Sequence, residues 1–249
     1  MRPRLAAMQP LVADRPEAWW SAFLGVSAEA LRAPGCTVVA HAGLGDWRGV
    51  WFFSRGDSLV VSAPDSHRRA LERSTAGWCP GDVPITPECV EAWVGPDVAL
   101  VIGPSYQGWL PPERFRPIDD PRAVELGPGR RAALERFRAA CPREDWDLCG
   151  IDPDLGPIQA VFEGDDAVAL GQLRMRAADV VDPSILTLPE ARGRGHAAHI
   201  VSALAHGALA RGQLVLYQTL HANLPAVGVA ERLGFEAYAS LIAVRLRPG

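Results

Sequence analysis

The chain has 249 residues, of which 48% are hydrophobic, and carries a formal net charge of -4 at pH 7. This length suits one large or two small domains with a substantial core. The acidic balance argues against general binding to nucleic acid, which needs a basic surface. No apolar run approaches the ~18 residues that cross a bilayer. The apolar part of Met1–Pro10 is too short for a signal peptide, so we predict a cytoplasmic protein without a membrane partner.

The N-terminal half has the pattern of a small α+β domain. Apolar runs between glycine turns predict strands over residues 37–41, 49–53, 58–62 and 98–102. Helical periodicity predicts helices over residues 17–33, 65–72 and 87–94. The proline-rich segment Pro111–Pro121 is typical of a linker. We therefore predict an N-terminal domain over residues 1–120 and a second domain over residues 121–249.

The C-terminal half alternates strands and helices. We predict strands over residues 159–163, 167–175, 185–188, 214–219 and 236–246, with a hairpin turn at Gly164-Asp165-Asp166. We predict helices over residues 130–140, 193–210 and 225–233, the first ended by Pro142. The longest helix places His199, Ser202 and His206 opposite its apolar stripe, so these three side chains are expected to face solvent.

The segment from Ser184 to Ala198 predicts a strand, a glycine-rich turn and a helix start. Gly193 and Gly195 allow the backbone to turn sharply and to approach a ligand closely. The first N–H groups of a helix lack intrahelical partners, and the helix dipole adds partial positive charge there. The order of these elements therefore predicts a phosphate-binding site.

Two common phosphate-binding motifs fit this segment poorly. Gly193-x-Gly195-x-x-Ala198 matches the dinucleotide-binding pattern formally, but that fold needs an acidic residue at the end of the next strand. The next strand ends in Tyr217-Gln218-Thr219. A nucleotide-binding P-loop is excluded because the chain contains no Gly-Lys-Ser/Thr sequence.

The segment resembles the acyl-CoA loop of the GCN5-related N-acetyltransferases (the GNAT superfamily). The family motif Q/R-x-x-G-x-G/A is matched at every fixed position by Arg192-Gly193-Arg194-Gly195-His196-Ala197. Downstream, Asn223 and the run Ala230–Phe235 resemble the end of the family's sequence pattern, in which an Asn is followed by a helix that ends in Leu-Gly-Phe. The resemblance implies an α+β fold with a mixed, mostly antiparallel sheet flanked by helices. It also implies that the N-terminal domain is a smaller α+β unit, or a degenerate copy of the same fold.

The resemblance assigns the donor site residue by residue. Backbone N–H groups of the strand before the loop would hold the pantetheine arm and the acyl carbonyl of acetyl-CoA. These belong to Leu186, Thr187 and Leu188, with Leu188 counted among the catalytic groups. The loop from Arg192 to Ala197 would wrap the pyrophosphate, with His196 acting through its backbone. Asn223 would either bond the pantetheine arm or cap the following helix.

The sequence departs from the family at the proton donor for the leaving thiolate. The family often has a tyrosine four residues before Gly-Phe, and Ala230 occupies that position here. Tyr217, His221 and Tyr238 are the candidates to replace it, although a thiolate with a pKa of about 8.5 can leave unaided. Glu144, Trp146 and a water relay are the alternatives for removing the proton of the acceptor.

We predict no metal site and no disulfide framework. His196 and His199 have the spacing of a ligand pair, but no third ligand candidate lies nearby in the sequence. The five cysteines are odd in number and form no Cys-x-x-Cys pair, so free thiols are expected.

The sequence as a whole therefore predicts an N-acyltransferase that moves an acetyl group from acetyl-CoA to a small-molecule amine. The alternative is a CoA-binding sensor or structural module without catalysis, and Ala230 is the feature that favours it. Transfer to a protein N-terminus has no supporting motif. The pattern leaves a monomer and a homodimer equally open.

Overall fold

The computed structural model describes residues 15–79, 85–118 and 122–248. Within these residues, most strands coincide with apolar runs of the sequence. Contacts between Cα atoms divide these residues into two units. The first unit holds the chain up to Ser105 and the segment from Tyr238 onward, and the second holds Tyr106–Ala237. The predicted linker runs from Pro111 to Pro121, and its last three residues, like the Met1–Pro10 segment, lie outside the described residues.

The first unit combines three helices with strands of both directions. Its elements are α1 (Arg15–Leu24), β1 (Gly35–Ala40), β2 (Gly49–Arg55), β3 (Ser58–Ala63), α2 (Asp65–Thr75), α3 (Pro87–Val94), the start of β4 (Val98–Trp109) and most of β10 (Glu236–Leu246). Strand β1 pairs with β3 in parallel, whereas β2 lies antiparallel to both β3 and β10. Phe52, Val61 and Val244 are buried in its core.

The second unit carries the elements that the sequence assigned to the phosphate-binding site. They are β5 (Ala123–Glu125), α4 (Arg131–Ala140), α5 (Arg143–Cys149), β6 (Ile158–Glu163), β7 (Asp166–Ala177), β8 (Val180–Thr187), α6 (His196–Ala210), β9 (Leu214–Leu220) and α7 (Leu224–Leu233). Strands β5 to β8 are antiparallel neighbours in chain order. Strand β9 then runs parallel to β8. This mixed sheet flanked by helices confirms the predicted fold class.

Two helix predictions need correction. The predicted helix over residues 17–33 ends at Leu24, because Gly25 adopts a left-handed backbone with φ of +70°. On α6, His199 and Ser202 are buried rather than solvated, and only His206 of the three is exposed. The Ser202 hydroxyl accepts the backbone N–H of Ile118 at 2.9 Å, so a segment distant in sequence covers this face of the helix.

The described part of the proline-rich segment, residues 111–118, packs against the second unit instead of forming a separate linker. Phe115 and Ile118 pack against the core of the second unit, and the N–H of Arg116 donates to Leu233 O at 3.0 Å. Residues 111–118 are therefore held against α6 and α7. The boundary between the predicted domains at residue 120 stays a prediction.

Candidate active site

The loop between β8 and α6 takes its shape from two glycines. Gly193 and Gly195 have φ of +78° and +83°, a region that side chains disfavour. A Cβ atom added at either glycine would meet nothing within 4 Å, so the requirement for glycine comes from the backbone angle. The left-handed turn at Gly195 leads directly into α6, for which Gly195 is the N-cap residue.

The N-terminus of α6 keeps its backbone donors available. Within the described chain, no side chain caps this helix. The first N–H groups that reach a carbonyl are those of Ala198 and His199, both directed at Gly195 O. The N–H groups of His196 and Ala197 are then orphan donors at the positive end of the helix dipole. This arrangement suits an anionic ligand.

Strands β8 and β9 pair over a short length and then separate. Their pairs are Val180 with Leu214 and Val181 with Val215. In a parallel ladder every second residue of β8 donates toward β9, and after Val181 that residue is Pro183, which has no N–H. Pro183 therefore removes the next rung of the ladder, and the strands diverge at this point.

A cavity of about 850 Å³ fills the space between the two strands. Strand β8 and the glycine loop form one side, and the ends of β9 and α7 form the other. Helix α5 contributes Asp145, Leu148 and Cys149, and β7 contributes Arg174. Other residues that line the cavity include Pro183, Ser184, Ile185, Leu186, Thr187, Arg192, Gly193, Gly195, His196, Ala197, Tyr217 and Asn223. The structure thus brings most of the predicted donor-site residues to one cavity, which extends from the N-terminus of α6 along β8.

The register of β8 corrects the predicted backbone donors. Leu188 N donates to Val168 O at 3.0 Å, so its N–H is not free for a ligand. Hydrogen-bonded pairs alternate along an antiparallel ladder, and the Leu186–Leu170 pair therefore has its N–H groups turned toward β7 as well. The residues whose N–H groups face the separated β9 side are Ile185 and Thr187. Of the three predicted donors, only Thr187 fits, and Ile185 was missed because the sequence does not reveal which way the ladder alternates.

The two loop arginines are already engaged in ion pairs. Arg192 donates to Asp145 Oδ2 at 2.8 Å and to Thr187 O at 3.2 Å. Arg194 donates to both carboxylate oxygens of Glu163 at 3.0 Å, and this lowers the pKa of Glu163. All four side chains are about half exposed, and exposed ion pairs contribute little to stability, so a pyrophosphate can exchange with these acids.

His196 is more buried than its predicted backbone role requires. Its side chain is 5% exposed, and Nε2 lies 3.2 Å from Glu163 Oε1. Neither ring nitrogen of His196 has a hydrogen-bond partner in the described chain. The His196 ring therefore lies buried beside Glu163, the acidic partner of Arg194.

Asn223 performs the capping role that the sequence left open. Its Oδ1 accepts the N–H of Ala226 at 3.4 Å, which caps α7. Because Asn223 also lines the cavity, capping does not exclude a contact with the pantetheine arm.

The three candidate proton donors lie in different surroundings. Tyr217 lines the cavity and is 4% exposed. Burial, together with the charge of Asp182 and the neighbouring Tyr106, raises the pKa of Tyr217 well above that of a free tyrosine. His221 is exposed, and its ring meets the edge of Tyr106 with centroids 6.1 Å apart. Tyr238 belongs to the first unit, where its ring lies 4.3 Å from the guanidinium of Arg55.

Ala230 is completely buried in α7. It belongs to a cluster with Tyr217, Leu233 and Phe235, in which the Tyr217 and Phe235 ring centroids are 5.1 Å apart. The Tyr217 ring therefore packs in the same cluster as the small residue at position 230. Among the predicted replacements, Tyr217 is the one that lines the cavity of the described structure.

Glu144 and Trp146, the candidates for the base, do not line this cavity in the part of the chain that the structure describes. Glu144 is exposed, and Trp146 packs against the core with the Arg138 guanidinium 5.2 Å from its ring. Sequence reasoning also missed Arg174, Asp182 and Ser184, which form a polar cluster beside the cavity. Their only signal in the sequence is that polar residues stand in strands otherwise filled by apolar ones.

Comparisons with known proteins agree with this geometry. The family model for FR47-like proteins matches residues 173–244. A GNAT-family protein from Novosphingobium aromaticivorans aligns with a TM-score of 0.52 and 22% identity over 76% of this chain and 84% of its own. An acetyltransferase of the GNAT family from Colwellia psychrerythraea aligns with a TM-score of 0.53 and 14% identity over 95% and 96% of the two chains. No protein with a curated description matches this sequence. At these identities the two structures establish a shared fold.

Proposed function

We propose that this chain, whose C-terminal half belongs to the GCN5-related N-acetyltransferase superfamily, transfers an acetyl group from acetyl-CoA to the amine of a small molecule. The observation that carries the proposal is one cavity that joins an uncapped helix N-terminus to two separated strands. A pyrophosphate is suited to the first feature and an extended pantetheine arm to the second. The space beside Gly193 and Gly195 is open, since a Cβ atom on either would meet nothing within 4 Å, so a diphosphate has room to approach the loop backbone.

The proposed chemistry is direct attack. The lone pair of the neutral amine forms a C–N bond with the thioester carbonyl carbon, and the C–S bond breaks to release the CoA thiolate. The amine loses one proton, and the thiolate takes up one proton on becoming a thiol. The N–H groups of Ile185 and Thr187 would hold the thioester against β8 and polarise its carbonyl, so positioning supplies much of the rate.

Tyr217 would act as a hydrogen-bond donor to the departing sulfur rather than as a strong acid. Its raised pKa keeps the phenol protonated at neutral pH, but full proton transfer from it to a thiolate of pKa about 8.5 is uphill. The thiolate then takes its proton from solvent. This assignment agrees with the presence of Ala230 at the position where the family often has its acid.

A catalytically silent CoA-binding module is the second candidate, and the same replacement at position 230 favours it. We further propose a cytoplasmic location, which suits the free thiols of all five cysteines. In the described residues, no helix is long and apolar enough to cross a membrane, and no cluster of three or more ligand-type side chains could hold a metal ion.

Thiol release from acetyl-CoA in the presence of a panel of primary amines tests the proposal. An acetyltransferase releases one free thiol for each amide formed. A silent module binds acetyl-CoA in calorimetric titration but releases no thiol above the uncatalysed rate with any amine. Release without amide formation would indicate a hydrolase and would contradict the direct transfer proposed here.

A further inference from the structure

In the polar cluster beside the cavity, the guanidinium of Arg174 has hydrogen-bond partners for only some of its N–H groups. Arg174 of β7 stands opposite Asp182 of β8, and its Nη2 donates to Asp182 Oδ2 at 2.8 Å. Arg176 donates to the same oxygen at 2.6 Å. Asp182 is 1% exposed, so one buried carboxylate serves two guanidinium groups. Together with Arg176, the cluster therefore carries one positive charge more than negative, and Arg174 is its cation that lines the cavity.

Polar atoms of this cluster are also left without hydrogen-bond partners. Among the described residues, Oδ1 of Asp182 is buried without a partner, and so are Nε of Arg174 and Oγ of Ser184. Ser184 as a whole is 5% exposed. Buried polar groups are nearly always paired in folded proteins, and leaving one unpaired is costly. Arg174 and Ser184 line the cavity, so a ligand bound there can supply the hydrogen-bond partners that these two side chains lack.

Gly150 lies against both the Arg174 guanidinium and the Ser184 hydroxyl. A Cβ atom on Gly150 would lie 3.0 Å from Arg174 Nη1 and 3.3 Å from Ser184 Oγ. Both distances are tighter than ordinary van der Waals contact, so a side chain at residue 150 would press on the guanidinium and the hydroxyl, and glycine leaves their placement undisturbed. A planar anion is the group that a guanidinium binds best in such a position, because its fork of donors matches two carboxylate oxygens.

We infer that Arg174 and Ser184 bind the carboxylate of the acceptor, so that the acceptor is an amino acid with its amine one or two carbons from that carboxylate. The inference rests on the proposed function and names the substrate class of the same cavity. Ser184 precedes Ile185, whose N–H faces the separated strands where the thioester would lie. A carboxylate held at Ser184 therefore leaves only a short link between itself and the attacking nitrogen. Leu148 of α5, which is 85% exposed and lines the cavity, offers an apolar wall for the rest of the acceptor.

The test compares amino acids with their own carboxamides, which keep the amine and side chain but remove the negative charge. Thiol release from acetyl-CoA gives kcat and KM for each pair. We expect the wild-type protein to prefer the acids by at least ~10-fold in kcat/KM, the factor typical of a hydrogen bond to a charged group. Equal rates for acids and carboxamides would overturn the inference and leave the proposed function standing.

Variants separate a binding role of Arg174 from a structural one. We expect Arg174→Gln to raise KM for the acids by about 10–100-fold and to bring the ratio of kcat/KM between acids and carboxamides close to one. Arg176→Gln is the matched control, because it removes the other partner of Asp182 while Arg174 keeps its contacts, and it should preserve the preference for acids. Equal losses for both substrate types in Arg174→Gln would contradict the inference.

The remaining outcomes are also decisive. If Arg174→Gln does not fold, as judged by circular dichroism, the ratio of acid to carboxamide in the wild-type protein still decides. If no amine of either type releases thiol although acetyl-CoA binds, the proposed transferase function fails and this inference fails with it.

Discussion

Val181 and Val215 form the last pair between β8 and β9 before the strands separate. Pro183 follows two residues later and cannot donate the next hydrogen bond. We predict that Pro183→Ala restores this donor and adds one rung to the ladder. A ligand would then have to break a bond of about 1 kcal/mol, so the affinity for acetyl-CoA should fall about five-fold. Calorimetric titration measures the affinity, and amide hydrogen exchange at residue 183 reports the new bond.

Pro157→Ala is the control for this change, because Pro157 is exposed and precedes β6, away from the cavity lining. It should leave the affinity unchanged. A protected amide at residue 183 without any loss of affinity would contradict the role assigned to Pro183.

The packing of Ala230 predicts the outcome of restoring the family's usual tyrosine. Since Ala230 is completely buried beside Tyr217 and Phe235, we expect Ala230→Tyr to overfill this cluster and to lower the free energy of unfolding by about 1–3 kcal/mol. Urea unfolding measures the change. Ala210→Tyr places the same side chain at the exposed end of α6 and should change stability by less than about 0.5 kcal/mol. A stable Ala230→Tyr protein with increased kcat would show that the site has room for the family acid.

Replacing each candidate proton donor in turn tests whether catalysis uses a dedicated acid. If none of them is a dedicated acid, Tyr217→Phe, His221→Ala and Tyr238→Phe should each lower kcat by less than ten-fold. Loss of a true general acid should instead lower kcat by about 10²–10⁴-fold. The measurement is kcat against pH for each variant. A hundred-fold drop in one variant would identify that residue as the acid and contradict the hydrogen-bonding role given to Tyr217.

Tyr106 predicts a pH dependence of stability. Burial, followed by the charges of Glu231 and Glu236, raises the pKa of Tyr106 to about 12. The unfolded chain loses this proton near pH 10, whereas the folded protein keeps it, so the unfolded state binds fewer protons above pH ~10. The contribution of Tyr106 to the free energy of unfolding should therefore not change with pH below pH ~10. Above pH ~10 it should fall by up to about 1.4 kcal/mol per pH unit.

Tyr106→Phe provides the check on this assignment. The Tyr106 hydroxyl is buried and has no partner in the described chain, so its removal should not destabilise the protein at pH 7. Between pH 9 and 11, urea unfolding should show a shallower loss of stability in Tyr106→Phe than in the wild-type protein. Parallel curves for the two proteins would show that Tyr106 ionises normally.

The sequence predicted local structure well where one signal dominated. The bounds of α3 and β10 match the predicted ranges 87–94 and 236–246, because a proline start, glycine turns and clear periodicity agree there. The prediction missed residues 180–184 of β8, because a proline such as Pro183 cannot donate to a strand ladder and therefore argues against a strand. Here the proline is tolerated because its missing N–H faces the side on which the pairing with β9 ends.

The sequence predicted the glycine loop of the candidate site but not the side chains around it. The residues from Arg192 to Ala197 form one contiguous loop, so their spacing alone locates them. The polar cluster of Arg174, Asp182 and Ser184 was not predictable, because it depends on the pairing of β7 with β8 and on the turn at Gly150. The burial of Ser202 likewise depends on a segment more than eighty positions away in the chain.

The binding of acyl-CoA to the loop before α6 is the central claim, and calorimetric titration of Gly195→Asp with acetyl-CoA tests it most directly. The new carboxylate would face the pyrophosphate, so we predict a loss of affinity of at least ~2 kcal/mol. Gly212→Asp is the matched control, because Gly212 also has a left-handed backbone, with φ of +69°, but follows the opposite end of α6. Retained affinity in Gly212→Asp together with a loss in Gly195→Asp is the predicted result. Wild-type affinity in a folded Gly195→Asp protein would contradict the account.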